Sequence, residues 1–414
     1  MYVNYLRKAI KYSISGKGSV LAHEDVGLRN RRLVLNEVMR HTKISRTQIA
    51  NNLQLNVASV SRISRDLIDA GLLLEAEAFG SSEKPGRKFI GLELNGEGGY
   101  IIGIGINAFR QSVTLANLKN KKIDEWVAPS APGSDGKAFM TKCASIARDM
   151  VNTHVADKER FLGVGIAVAA ELDQEKSILI SSPAMGWNEP IDLGEIIKEV
   201  LDSPLVIDTP SSAINKAEAD FGIARDQVNP ITIHCSLGFG MGIQIAGSDR
   251  SERIQFGRPL NNAFSPKANG KDLSSECGGV AILNAALGNS VIDDLNDHQR
   301  SAILNRLVTQ TNNGDTETSA LFAQAGQDTA NSFLLCFELL RPDMIILAGP
   351  LAYTNSFKDS FIQQLSQSFG HVSKLPQVVV SEMTSTGASR WLSLHGNVIN
   401  GNLNLANLRP EIAA

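Results

Sequence analysis

Two helix signals separated by a four-residue turn lie between residues 45 and 71, and they constrain the fold of the first ninety residues most strongly. Ser45 precedes Gln48 by three positions, the capping-box spacing at the start of a helix. After the turn, Asn56 is a favoured N-cap for the next helix, which ends at Gly71. An amphipathic helix is expected ahead of this pair, over Leu28–Thr42. The pattern predicts a three-helix helix-turn-helix.

The last of these helices has the composition of a DNA-recognition helix. Val60, Ile63 and Leu67 recur at helical spacing and face a core. The outward side chains are short hydroxyls and arginines, which can enter a major groove without a bulky clash. The residues predicted to contact DNA here are Asn56, Ser59, Ser61, Arg62 and Arg65, with Arg46 of the preceding helix on a phosphate.

A wing is expected after Gly71. The segments 72–77 and 88–94 alternate like two strands, and a Gly-, Ser- and Pro-containing turn joins them. Lys84, Arg87 and Lys88 make the turn cationic, so we expect them to lie along a minor groove or on phosphates. The first ninety residues are therefore predicted to form a winged helix-turn-helix, after an extension over residues 1–27 without clear periodicity.

The charge distribution agrees with a DNA-binding module. Residues 1–90 hold 15 Lys and Arg against 8 Asp and Glu, a net charge of +7, whereas residues 91–414 hold 25 against 35, a net charge of −10. A basic segment beside an acidic remainder suits a nucleic-acid reader joined to a ligand-binding or oligomerising body. Two alternatives stay open: the charges only solubilise the surface, or the helices form a protein-interaction domain.

The remaining sequence alternates strand and helix patterns. Tyr100–Ile106 and Ser112–Leu118 read as a hairpin, and later strands alternate with helices, which predicts an α/β body with helices on both faces of a mixed sheet. Glycine pairs lie at two such hairpins, Gly103 with Gly105 and Gly238 with Gly240. Two halves that each open on a glycine-rich hairpin would leave a cleft between two lobes.

In this order of features the chain resembles the ROK family, which includes sugar-sensing repressors and sugar kinases. The resemblance covers about residues 28–400. It rests on Ser-Arg-Thr-Gln-Ile-Ala from Ser45, on Pro85-Gly86-Arg87, on the Pro-x-x-Gly-Trp segment Pro183–Trp187 and on the second phosphate loop Ser236–Gly242. It implies a two-lobed actin-like (ribonuclease-H-like) ATPase/sugar-kinase fold behind the winged helix-turn-helix, in a homodimer or homotetramer.

Departures from the family pattern argue against catalysis. By the resemblance, Gly105 stands where a kinase carries the aspartate of its first phosphate loop, and Pro210 stands where it carries the general base. Proline cannot take a proton from a sugar hydroxyl. Asp208, two positions earlier, is a weaker candidate for a displaced base. The chain is therefore predicted not to be an enzyme.

The family's zinc and sugar ligands are also largely replaced. Cys277 is the one zinc ligand of four that remains, and neither His234 nor His371 has partners at ligand spacing, so we expect no metal and no cofactor. The positions that hold the sugar in the family include Ser212, Gln255 and Arg258 here, which we predict to be effector-binding. Arg258 suits an acidic or phosphorylated sugar.

These observations predict a DNA-binding transcriptional regulator, a repressor, with a catalytically degenerate body that dimerises and senses a carbohydrate or phosphosugar. Its expected divisions are residues 1–27, 28–95, 96–400 and 401–414. The alternatives are a DNA-binding oligomer that ignores ligands and a carbohydrate kinase with a DNA-binding domain. Four scattered cysteines and no apolar run near 20 residues favour the cytoplasm and give no support for a membrane span.

Overall fold

The computed structural model of the chain describes residues 23–79, 89–129, 132–246, 253–260, 272–369 and 375–409. The amino-terminal unit is a winged helix-turn-helix. Its helices are α1 (His23–Met39), α2 (Arg46–Leu53) and α3 (Val57–Asp69), and its strands are β1 (Ile44–Ser45), β2 (Leu73–Phe79) and β3 (Phe89–Leu94), in the order β1-β3-β2. We call residues 23–94 the reader.

The predicted caps begin and end the reader helices. The Ser45 hydroxyl accepts from the Gln48 amide while the Gln48 side chain accepts from the Ser45 amide at 3.0 Å, which completes the capping box. The Asn56 side chain accepts from the backbone N–H of Ala58 at 2.8 Å at the start of α3. Beyond the other end of α3, Gly71 takes φ +73°, a left-handed conformation that glycine adopts without steric cost.

The predicted start of α1 is wrong. The helix begins at His23 rather than Leu28, so residues 23–27 do not belong to a loose extension. The apolar stripe marks only the buried face, and elongating a helix adds one hydrogen bond per residue without a buried side chain. Val26, in the added part, is 41% exposed. Residues 1–22 and the predicted wing residues Lys84, Arg87 and Lys88 lie outside the described residues.

Two five-stranded mixed sheets follow, and they share one strand order. Lobe 1 has the order β11-β7-β4-β5-β6 and lobe 2 has β14-β13-β12-β15-β16. In each, the first strand in sequence is central, the next two add antiparallel on one side, and the last two add parallel on the other. The prediction of two halves, each opening on a glycine-rich hairpin, is confirmed.

The strands of lobe 1 are β4 (Tyr100–Ile106), β5 (Gln111–Asn117), β6 (Lys122–Val127), β7 (Phe161–Val168) and β11 (Leu205–Asp208). In the sequence, three short strands come between β7 and β11. They form a small separate antiparallel sheet and are β8 (Glu171–Asp173), β9 (Ile178–Ser181) and β10 (Ile191–Asp192). The strands of lobe 2 are β12 (Pro230–Cys235), β13 (Phe239–Ala246), β14 (Arg253–Pro259), β15 (Met344–Ala348) and β16 (Gln377–Val380).

Helices cover these sheets. They are α4 (Gly136–His154), α5 (Leu193–Val200), α6 (Pro210–Asp220), α7 (Leu273–Cys277), α8 (Gly279–Leu287), α9 (Asn289–Asp293), α10 (Asp297–Asn312), α11 (Thr316–Leu340), α12 (Asn355–Ser368) and α13 (Ser385–Ser393), followed by a π-helical turn over Leu394–Ile399. No helix of the described residues is both long and apolar enough to cross a membrane. Buried aromatic side chains of α11 and α12, such as Phe333 and Phe361, join the main apolar core.

Two helices are exchanged between the lobes. Helix α6 follows the last strand of lobe 1 but packs on lobe 2, whereas α13 follows the last strand of lobe 2 but packs on lobe 1. Glycines in the sheets permit the close approach. A Cβ on Gly165 would lie 2.4 Å from the Ser389 carbonyl oxygen, and one on Gly257 would lie 2.5 Å from the Ser212 Cβ. The two helices therefore cross at the centre of the molecule, where Ala213 and Ala388 share a small apolar cluster.

The reader shares one apolar core with lobe 1 and with the end of the chain. The carboxy-terminal segment, residues 394–409, buries four leucine and valine side chains in this cluster beside lobe 1 residues. The cluster contains Val34, Leu35, Val38, Ile49, Val60 and Leu67 of the reader, Ile101, Ala116, Leu118 and Leu162 of lobe 1, and Leu394, Val398, Leu405 and Leu408 of the carboxy-terminal segment. Apolar contacts thus hold the reader against the body, together with hydrogen bonds such as that from Arg31 to the Leu403 carbonyl at 3.3 Å.

Candidate functional site

Helix α3 presents the side chains expected of a recognition helix. Val60, Ile63 and Leu67 are at most 5% exposed and pack into the reader core. On the other face Arg62 and Arg65 are exposed to solvent. The apolar side chains anchor the helix in the reader core, and the two guanidiniums face solvent, where they can contact an anionic surface. Major-groove recognition requires this arrangement.

The other predicted contacts differ in their exposure. Asn56 is exposed, although its side chain already caps α3. Ser59 and Ser61 are only partly exposed, because they lie at the flanks of the outward face. Arg46 donates to Glu75 of β2 at 2.8 Å, so a phosphate would have to compete with that carboxylate. The structure therefore brings the α3 residues together and leaves Arg46 in an ion pair.

Between the lobes, the carboxylate of Asp208 lies at the end of β11 and is fully buried. Four donors surround it: the Gln174 amide at 2.8 Å, the Thr209 N–H at 2.8 Å, the Ser212 hydroxyl at 2.8 Å and the Lys216 ammonium at 2.6 Å. A carboxylate held in this way has its acceptor lone pairs occupied by internal donors. The geometry gives no support to Asp208 as a displaced general base.

The predicted effector residues lie on two elements that meet. Ser212 of α6 packs against Gly257 of β14, but its hydroxyl donates to Asp208. Gln255, on the same strand, donates its amide to Gln244 of β13 at 2.6 Å. The side chain of Arg258 lies outside the described residues. Ser212 and Gln255 are therefore close to the interlobe contact and engaged in internal hydrogen bonds.

The turn between β4 and β5 corresponds to the first phosphate loop of the resemblance. The Asn107 side-chain oxygen accepts from the amides of Phe109 at 2.8 Å and Arg110 at 2.9 Å. Its side-chain amide donates to the Ser385 hydroxyl, at the start of α13, at 2.8 Å. Two amides that a phosphate loop would offer to an anion are thus used by Asn107.

Of the remaining candidates, Cys277 is buried and His234 is half-buried. Cys277 donates its thiol to the Leu273 carbonyl at 3.4 Å, and burial raises its pKa to about 11. Burial also lowers the pKa of His234, on β12, to about 4. No group of three or more His, Cys, Asp or Glu among the described residues could hold a metal ion. His371 lies outside those residues.

Sequence reasoning missed an arginine at the contact between the reader and the body. Arg160, immediately before β7, donates to the carbonyls of Ala70 at 2.6 Å, Gly98 at 3.1 Å and Leu408 at 2.7 Å. At another point of the contact between the reader and the body, Arg40 just after α1 and Arg225 after α6 each donate to the other's backbone carbonyl, at 2.7 and 3.2 Å. Backbone carbonyls have no sequence signature, so no local pattern could have indicated these partners.

Comparison with known proteins gives consistent matches. The family model described as the ROK family matches residues 137–391. A xylose repressor of Caldicellulosiruptor bescii is 23% identical over 353 residues, which covers 82% of this chain and 86% of that protein. A xylose repressor of Lactiplantibacillus pentosus is 26% identical over 260 residues, 62% of this chain and 66% of that protein.

Solved structures extend the match to the whole fold. The crystal structure of a ROK family transcriptional regulator, a homologue of the Escherichia coli Mlc protein, has a TM-score of 0.70 at 17% identity and covers 93% of this chain and 100% of its own. A ROK family glucokinase from Streptomyces griseus, in complex with glucose and AMPPNP, has a TM-score of 0.54 at 15% identity and covers 71% of this chain and 98% of its own. At these identities the structural matches show the fold.

Proposed function

Because the chain belongs to the ROK family, we propose that it is a DNA-binding transcriptional repressor, acting in the cytoplasm, whose two-lobed body has no catalytic role. The observation that carries this proposal is the exposure of Arg62 and Arg65 on a helix whose other face completes the reader core. The relatives named as xylose repressors and the solved transcriptional regulator support it. The reader, residues 23–94, binds DNA, and residues 96–400 form the body.

In this proposal the side chains divide their tasks by position. Side chains on α3 read base edges in the major groove, whereas Arg46 and the wing residues Lys84, Arg87 and Lys88 hold phosphates. The body joins two or four copies, and a pair of recognition helices then reaches successive major grooves about 34 Å apart. Phosphate contacts supply most of the affinity, and α3 supplies the choice of sequence.

The proposal is tested on duplex DNA that the full-length protein selects from its genome. Arg62→Ala is expected to weaken binding to that duplex roughly tenfold to a hundredfold, because a bidentate base contact is worth about 1–3 kcal/mol. Arg87→Ala should weaken binding to all sequences alike and lower the salt slope by about one. Fluorescence anisotropy titrations at several salt concentrations measure both effects.

The control for these titrations is Arg148→Ala. Arg148 is an exposed arginine on α4 of the body, so its removal takes away the same charge outside the reader. We expect wild-type affinity for this variant. If Arg62→Ala and Arg87→Ala also bind like the wild type, or if the full-length protein selects no duplex, the assignment is wrong.

We propose further that the body senses a carbohydrate or phosphosugar near Ser212, Gln255 and Arg258 and transfers no phosphoryl group to it. Three observations support the absence of phosphoryl transfer. Asn107 occupies two amides of the phosphate-loop turn, the carboxylate of Asp208 already accepts four hydrogen bonds, and a proline stands at position 210. A ligand at the first three residues has to displace the contacts of Ser212 with Asp208 and of Gln255 with Gln244.

One panel of pentoses, hexoses and their phosphates, each with ATP, tests both parts. We expect no ADP release above the sugar-free background and a higher melting temperature with at least one member, since a ligand that binds the native state stabilises it. Sugar-dependent ADP release would make the chain a kinase. A panel without any thermal shift would favour the alternative, a DNA-binding oligomer that ignores ligands.

A further inference from the structure

The guanidinium of Arg160 joins three parts of the chain at one point. It donates to three backbone carbonyls: that of Ala70, directly after α3, that of Gly98 in the connection from the reader to lobe 1, and that of Leu408 in the carboxy-terminal segment. The side chain is 15% exposed. Its own position is fixed because β7, the parallel neighbour of the central strand of lobe 1, begins at the next residue.

The acceptor at Ala70 is a helix terminus. Ala70 is the C-cap of α3, and carbonyls at this end of a helix lack intrahelical partners and carry partial negative charge. A cation placed there binds the helix by its end rather than by its side. A planar guanidinium offers several donors at fixed angles, so it constrains direction as well as distance.

The backbone around this point is shaped to admit the guanidinium. Gly71 follows Ala70 in the left-handed conformation, and a Cβ there would lie 3.0 Å from an Arg160 nitrogen. The Asn95 side chain donates to the Gly71 carbonyl at 2.7 Å, and a Cβ on Gly98 would lie 2.2 Å from that same oxygen. The end of α3, the connection to lobe 1 and Arg160 therefore pack at backbone distance.

We propose that Arg160 is a positioning residue that fixes the angle between the recognition helix and the body, and thereby sets the spacing of the two half-sites that a dimer binds. This inference rests on the proposed function. The apolar cluster beneath the reader resists separation but is non-directional, whereas the hydrogen bonds of Arg160 hold the end of α3 in one direction. Two readers held at fixed angles engage both half-sites only at the matching spacing.

The DNA test compares one half-site with two. Probes are the duplex that the wild type selects, a single half-site cut from it, and versions with the spacer changed by one or two base pairs. For Arg160→Met we expect half-site affinity within twofold of the wild type and about tenfold weaker binding to the full site, because simultaneous engagement is no longer pre-organised. The preference for the native spacer should shrink. Arg160→Lys should show the same loss, since an ammonium lacks the fork geometry.

Three outcomes overturn the inference. A wild-type spacer preference in Arg160→Met would show that the angle does not depend on this side chain. Equal losses on the half-site and the full site would assign Arg160 to DNA contact or to folding of the reader. Arg148→Met on α4 is the matched control for lost charge, and its DNA binding should equal that of the wild type. If this variant loses as much affinity as Arg160→Met, the effect is not specific to position 160 and the positioning role of Arg160 is wrong.

A measurement without DNA separates this inference from the proposed function. Spin labels are attached at Ala58→Cys in α3 and Lys137→Cys in α4, in a Cys336→Ser background. Pulsed dipolar spectroscopy then measures the distance between the labels, which changes when the angle between reader and body changes. The distance distribution should be narrow with Arg160 and clearly broader with Arg160→Met at an unchanged far-ultraviolet circular dichroism spectrum. An equally narrow distribution would refute the positioning role whether or not the protein binds DNA.

Discussion

Replacing Leu405 and Leu408 by alanine is expected to loosen the reader while leaving the lobes folded. Both side chains lie in the apolar cluster beneath the reader, 8% and 4% exposed. Truncating a buried leucine to alanine costs about 2–5 kcal/mol, because transfer free energy is lost and a cavity remains. Both truncations weaken the same apolar cluster. The double variant should therefore reduce the free energy required to unfold the reader locally by several kcal/mol.

Hydrogen exchange measures this effect where it arises. Amides of α1 and α3 around Val34 and Leu67 should exchange faster in the double variant, whereas amides of the central strands β4 and β12 should keep their protection. DNA affinity should fall as well, because α3 must be ordered before it can bind.

Two exposed leucines provide the matched control. Leu335 and Leu339 on α11 are 71% and 74% exposed, so their replacement by alanine should change local stability by no more than about 0.5 kcal/mol. Unchanged protection of α1 and α3 in the Leu405 and Leu408 variant would show that the carboxy-terminal segment does not support the reader.

The second large effect is expected from Gly105→Asp, which restores the residue type of a kinase at this position of the family pattern. A Cβ on Gly105 would lie 2.7 Å from the Thr386 amide nitrogen and 2.8 Å from its Cα, both backbone atoms of α13. Backbone cannot swing aside, so the substitution forces α13 away from lobe 1. We expect a loss of about 3 kcal/mol or more from overpacking together with burial of a polar group, and no gain of kinase activity.

Thermal melting of the full chain measures this loss, and Gly133→Asp is the control. A Cβ on Gly133 would meet no atom within 4 Å, so the same new carboxylate should be tolerated there. A Gly105→Asp protein that melts with the wild type would show that α13 can move off the sheet at little cost. Gain of sugar-dependent ATP turnover would contradict the proposed loss of catalysis.

Local patterns located most of the secondary structure. The strand predicted at Tyr100–Ile106 agrees with the structure to the residue, and its hairpin partner, predicted at Ser112–Leu118, lies one residue earlier at Gln111–Asn117, because the strand pattern is local to each segment. Helices α7 to α10 were not predicted. Helices α7 and α9 have only five residues each, too few for a period, although Asn296 and Gln299 form a capping box at α10 that the sequence does display.

Some residues of the candidate site could be predicted from the local sequence, and others could not. Exposed Arg62 and Arg65 follow from the helical period of α3 alone, and the replacement of catalytic residues follows from the family pattern. The partners of Asp208 do not, because Gln174 lies 34 positions away in sequence and is brought close only by the fold.

By itself the sequence determined that the chain has an amino-terminal helix-turn-helix and two similar α/β halves, because caps, turns and periodicities act over a few residues. Tertiary structure decided that α6 and α13 exchange lobes, that Leu405 and Leu408 complete the reader core, and that Arg160 binds the end of the recognition helix. Those contacts join residues far apart in sequence, and many of them end on backbone atoms that every residue shares, so only the folded chain could specify them.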